Sequence, residues 1–336
     1  MTLATKTRTP RQSNMELLRI IAMLMILVLH ANYKSFGAPT AADYAQAPVG
    51  EFLRTFAETL AIVGVDIFVM ISGWFGIKPS LRGFGNFLFQ VVFFYSIGFA
   101  TVVALGIMPF SVSSLGAIFC LADNGWFVLA YIGLYAVAPL LNMFIEKATR
   151  EQVEKFLIWF FVIQCIWGWI GNSSFYLKGA STLSFIGLYI LAAYVRKYHL
   201  ETLRAVKIGG GYIFLIISLS MAIAIAICQY LNLPAGMFLL YSSPTVIIAA
   251  LALVWQFSQF NLGSNKLINF IAASAFSVYL LHDSIFTSGN LYIPGVRWSF
   301  ENFGLGGVIL LIVGVYVLAI LLDQIRKFIW RLLIRS

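Results

Sequence analysis

The sequence predicts an all-α polytopic membrane protein of about ten transmembrane helices with both termini cytoplasmic, and three observations carry that expectation. Of 336 residues, 61% are hydrophobic and only 10% are charged, with a mean hydropathy of +0.91; a soluble domain averages about 25% charged residues. The apolar runs are long and continuous instead of alternating over about ten residues, which selects a helical bundle over an outer-membrane barrel. With ten helices, eighteen of the 22 Lys and Arg fall on the side of the N-terminus, the asymmetry that places both ends in the cytoplasm. The net charge of +9 therefore reads as topology, and nucleic acid is not an expected partner.

Residues 1–13, with Lys6, Arg8 and Arg11, read as a basic cytoplasmic tail. No small-residue cleavage site follows the first apolar run, so it is read as a retained helix over 15–33 and not as a signal peptide. Residues 34–51, rich in Ala and Pro and carrying Asp43 and Glu51, read as an external loop. A second helix is expected over 56–77, ended by Lys78, Pro79 and Ser80. A third over 87–108 leads into a Ser-rich loop, Asp123, Asn124 and Gly125. Further helices are expected over 126–145, 156–171, a short 183–195, 212–228, 236–257, 267–286 and 306–322. The membrane domain thus spans 14–325, and 326–336 is a second basic cytoplasmic tail. No linker or internal repeat interrupts it. Cys120, Cys165 and Cys228 are far apart and read as small packing residues, and three histidines show no metal-ligand spacing.

Two residues of the first helix do not belong in lipid: Arg19 and His30. Eleven positions apart, they return to within about 20° of one direction after three helical turns, and lie about 16 Å apart along it. A buried Arg costs about 2.5–3.5 kcal/mol on insertion scales, so it faces protein or water or snorkels. A neutral imidazole is cheaper, and it is also the form that acts as a general base near neutral pH. Asp66, in the middle of the second helix, has to pair, bind water or protonate, and it could orient an imidazole; it is the second catalytic candidate beside His30. Lys78 and Arg82 could clamp the phosphates of a cytoplasmic cofactor, although topology alone also puts basic residues there. His282, next to Asp283, and Trp126, which opens the fourth helix, are candidates for the outer mouth or the substrate, with interfacial roles as the alternative.

With these residues in place, the chain resembles the acyltransferase-3 family of bacterial integral membrane acyltransferases. Arg19 and His30 match the family's R-x10-H in the first helix. The run GlyValAspIlePheValMetIleSerGlyTrp at 64–74 is similar to its G-V-D-hydrophobic-F-hydrophobic-SG motif, and TyrLeuLeuHis at 279–282 to a shorter one. The family's ten-helix plan covers nearly the whole chain. The resemblance implies transfer of an acyl group, usually acetyl from cytoplasmic acetyl-CoA, to a hydroxyl of an envelope polysaccharide or lipid-linked sugar at the bacterial inner membrane. It implies that His30 is the essential histidine and that Arg19 helps to hold the donor. Many relatives carry two arginines after the second helix where this chain has Lys78 and Arg82, and lysine lacks the bidentate fork for phosphate. Without an appended esterase-like domain, the shorter glycan O-acetyltransferase type is implied. His30 could act as a base or could itself carry the acyl group. Membrane lipids are the other expected partners, and a homo-oligomer is left open. The alternative reading is a proton-coupled transporter or exporter of a glycan or small metabolite, in which Arg19, Asp66 and His30 would be substrate or proton sites. A structural or sensory membrane subunit is a third.

Overall fold

Helix α1 (Ser13–Ala31) stands at the centre of the bundle, and its polar side chains explain why: Asn14, Glu16, Arg19 and His30 are costly against lipid and have to face protein or water, and none of residues 13–33 is exposed. The computed structural model describes residues 12–119, 125–205 and 209–334; the basic tail residues Lys6, Arg8 and Arg11, together with Cys120, Asp123 and Asn124, lie outside them. Around α1 are α2 (Pro48–Ala61), α3 (Gly64–Phe75), α4 (Leu81–Ala104), α5 (Trp126–Lys147), α6 (Arg150–Ile163) and α7 (Thr182–Tyr194). They are followed by α8 (Gly210–Tyr230), α9 (Pro244–Ser258), α10 (Lys266–Ala272), α11 (Ala275–His282) and α12 (Ile293–Leu333). Among the described residues there is no strand. Among the described residues, eight helical stretches are long and apolar enough to cross a membrane, and the other two expected helices, at α7 and at α10 with α11, are shorter. The protein is an all-α, multi-pass membrane protein. Helix α1 packs against α2, α3, α9, α10, α11 and α12.

Three of the expected helices differ from their apolar runs, each for a local reason. The helix expected over 56–77 is two, α2 and α3, separated by a turn at Ile62 and Val63. Gly64 then begins α3 against α1, where a Cβ would stand 2.8 Å from the Ala22 carbonyl oxygen. The helix expected over 267–286 is broken at Ala273 and Ser274, and the buried Ser274 hydroxyl turns away to donate to Asp323 at 2.7 Å. The last helix is far longer than 306–322. It bends at Gly304, whose φ of +61° is disfavoured for any residue with a Cβ, and it continues past Asp323 because that acid is paired inside the bundle.

Side chains that would be a liability in water, such as Leu310, Val313, Val317 and Leu321 on α12, lie exposed, which suits a surface against lipid tails. Association in lipid instead favours small residues where backbones meet. Gly73 is the clearest case: its α-carbon faces the Tyr189 backbone of α7 so closely that a Cβ would overlap the Tyr189 carbonyl. Gly73→Ala is therefore expected to destabilise the fold by about 1–3 kcal/mol or more through overpacking. Gly314→Ala, where a Cβ meets nothing within 4 Å, is expected to be neutral or mildly stabilising. Thermal unfolding of the two detergent-purified variants beside wild type checks this.

Candidate active site

The end of α1 that carries His30 is anchored by the residues just after it. Asn32 Nδ2 donates to the Arg54 carbonyl at 2.8 Å and to Glu58 Oε2 at 2.9 Å, and Arg54 Nε donates back to Asn32 Oδ1 at 3.2 Å. Ser35 Oγ donates to the His30 carbonyl at 2.7 Å. Glu58, only 4% exposed, escapes a sequence reading because it precedes the most apolar part of its helix; as an acid in a spanning segment it carried the signal all the same.

Helix α11 brings the second histidine. His30 Nδ1 and His282 Nε2 are 3.0 Å apart, and His282 Nδ1 is 2.7 Å from the Val278 carbonyl. A carbonyl only accepts, so His282 carries its proton on Nδ1 and offers the Nε2 lone pair. His30 must then donate from Nδ1, and in the neutral ring its own Nε2 is left bare. That nitrogen lies 3.7 Å from Asp283 Oδ2. Asp283 is fixed by an ion pair with Lys34 and by Ser288 Oγ, which donates to Oδ1 at 2.7 Å. A π-helical turn, Ser288–Tyr292, follows and lets the Tyr292 hydroxyl donate to the Leu27 carbonyl at 2.8 Å, closing α1 against α12. The arrangement is a base with a carboxylate beside the nitrogen that would take the proton. The side chain of His30 is 12% exposed, and that of Lys34, which pairs with the same Asp283, is 40% exposed.

Arg19 lies toward the other end of α1, in a cavity of about 440 Å³. Residues from both ends of the chain meet there: Arg19 from α1, Arg326 and Lys327 from α12, Asn86 and Gln90 from α4. Arg326 Nε donates to Asp323 Oδ1 and its Nη1 to Asn86 Oδ1, both at 2.7 Å, while Lys327 bonds Asp323 Oδ2 at 2.6 Å. Glu16 pairs with Arg19. Three cations against two carboxylates leave the cavity one positive charge in excess. Arg326, which the sequence assigns to a tail, is 3% exposed. The acid at 323 placed three and four residues before two cations was the local signal for it.

Residues 12–324 match the family model described as an acyltransferase domain, that of the acyltransferase-3 proteins. The chain belongs to this family. It is a membrane acyltransferase. No curated protein and no solved structure matches the chain.

Within the family's R-x10-H motif, Arg19 thus lines the cavity and His30 joins the histidine pair at the opposite level of the same helix. The family's GVD run places Asp66 in the first turn of α3, fully buried, with neither carboxylate oxygen hydrogen-bonded among the described residues. The carboxylate that stands beside His30 is Asp283. Lys78 and Arg82 are exposed and do not line the cavity that holds Arg19. Trp126 stacks on Tyr241 at 5.6 Å and packs edge-on against Phe127 and Phe185, within the aromatic interior. Asp283→Asn keeps the shape and removes the charge that would stabilise a protonated His30. Turnover of the acyl-transfer reaction is expected to fall by about 10²- to 10⁴-fold, the range contributed by an aligned acid–base partner, with the donor KM little changed; steady-state kinetics in membranes separate the two.

Proposed function

We propose that this acyltransferase moves an acyl group, acetyl first, from cytoplasmic acyl-CoA at the Arg19 cavity to a hydroxyl of an envelope polysaccharide or glycolipid at the His30 end. The site of action on this reading is the bacterial inner membrane, with both termini cytoplasmic. The observation that supports it most is the chain of contacts from His30 Nδ1 to His282 Nε2 and from His282 Nδ1 to the Val278 carbonyl, which leaves His30 Nε2 bare at one level of α1, with an electropositive cavity at the other. Coenzyme A is anionic and carries its thioester on a long narrow arm. Phosphates near Arg19, Arg326 and Lys327 would gain charge-assisted hydrogen bonds, which gives these three the donor role expected of Lys78 and Arg82. The glycan hydroxyl attacks the thioester carbonyl, forming the C–O bond as the C–S bond breaks. Its proton passes to His30 Nε2, and CoA leaves as a thiolate that takes that proton from the imidazolium to become the thiol, which returns His30 to its neutral form. Asp283 stabilises the imidazolium while it lasts, and His282 keeps the ring in register.

The test is incorporation of label from acetyl-CoA into the native surface polysaccharide, in membranes carrying equal amounts of wild type, His30→Ala and Arg19→Ala. Wild type is expected to label the glycan and His30→Ala to leave it unlabelled. Arg19→Ala is expected to raise the donor KM by about 10- to 100-fold, as loss of a hydrogen bond to a charged group worth about 1.5–3 kcal/mol implies. A glycan left unlabelled by wild type, with surface export that depends on the protein, would favour transport instead.

A further inference from the structure

Three aromatic rings stand between the Arg19 cavity and the histidine pair. Phe127 and Phe276 belong to the cavity wall. Behind them is Tyr279, its ring 5.2 Å from that of Phe127 and stacked at 6.1 Å on that of Phe276. On the far side of Tyr279, edge-on at 6.1 Å, is the imidazole of His282, which bonds His30. A single ring therefore divides the wall of one compartment from the base in the other. The helix that carries it is tied to its neighbours on both sides of Tyr279: Gln90 Nε2 of α4, in the cavity, donates to Ser277 Oγ at 2.7 Å, and His30 Nδ1 of α1 donates to His282 Nε2 at 3.0 Å. Passage thus calls for movement of side chains and not of α11.

We infer that Tyr279 is a specificity-determining residue, the ring that closes the passage between the cavity and His30 and limits the length of the acyl group that reaches the base. The selectivity part rests on the acyl-CoA reading above; the partition does not. A thioester carbonyl has to come past the edge of Tyr279 to meet a hydroxyl at His30 Nε2. Tyr279 is 6% exposed and packed against Phe127, Phe276 and His282, and close-packed interiors accommodate added volume poorly. A two-carbon acyl group asks for the least displacement, and each further methylene asks for more. In a packed apolar pocket one methylene discriminates by about 10- to 200-fold.

Two measurements test this on the whole protein. In native membranes with equal amounts of each variant, label is followed from acetyl-, butyryl- and hexanoyl-CoA into the surface polysaccharide. Wild type and Tyr279→Phe are expected to prefer acetyl by about tenfold or more. Tyr279→Ala is expected to raise the hexanoyl-to-acetyl ratio by about tenfold or more, with Tyr279→Leu intermediate should the alanine variant fold poorly. In proteoliposomes with a trapped pH dye and no acyl donor, Tyr279→Ala is expected to dissipate an imposed pH gradient several times faster than wild type. Unchanged donor ratios together with an unchanged leak, or a proportional loss with all three donors, would overturn the inference. If no donor labels the glycan in wild type while Tyr279→Ala still leaks, the acyl-CoA reading fails and the partition stands.

Discussion

The hydrogen bond from His30 to His282 is the interaction on which the rest of this site depends. Alone, a histidine in a spanning helix can hold its proton on either nitrogen. Here the Val278 carbonyl accepts a hydrogen bond from His282 Nδ1, His282 Nε2 accepts one from His30 Nδ1, and the bare nitrogen of His30 is the one beside Asp283. The polarity of the whole relay is set by one backbone carbonyl, which cannot donate. Asn32, Ser35 and Tyr292 hold the end of α1 so that the two rings meet.

A membrane bundle pays for such polar contacts with interruptions of its helices, because an unbroken apolar helix has no backbone to spare. Three of the breaks in this chain lie beside the polar groups described above. The turn at Ile62 and Val63 puts Asp66 in the first turn of α3 and brings Gly64 against α1. The break at Ser274 turns a hydroxyl to Asp323, which in turn holds Arg326 and Lys327 at the cavity. The π-helical turn after Asp283 supplies Ser288 to that carboxylate.

Much of the frame was legible in the sequence. The all-α membrane class follows from composition, and the separation of Arg19 from His30 follows from the rise of one helix, a local property. What was hidden is non-local. His30 and His282 are 252 positions apart, and nothing in either neighbourhood announces the other. Asp66 drew attention because it lies mid-run, whereas Asp283, at the end of a run, is the acid that meets His30. Arg326 was absorbed into a basic tail because hydropathy falls at Asp323, and hydropathy does not register that Asp323 and Arg326 neutralise each other inside the bundle. The same blindness shortened the last helix at its C-terminal end.

The most direct test of the account is the protonation pattern of His30 itself. The chain has three histidines, so nitrogen-15 histidine labelling in nanodiscs, assigned with His199→Gln and His282→Phe, reads each ring separately. The account predicts a neutral His30 that carries its proton on Nδ1 with Nε2 bare, a pattern that loses its bias in His282→Phe. A wild-type His30 protonated on Nε2 would contradict it, for the ring would then present a donor where the reaction requires a base.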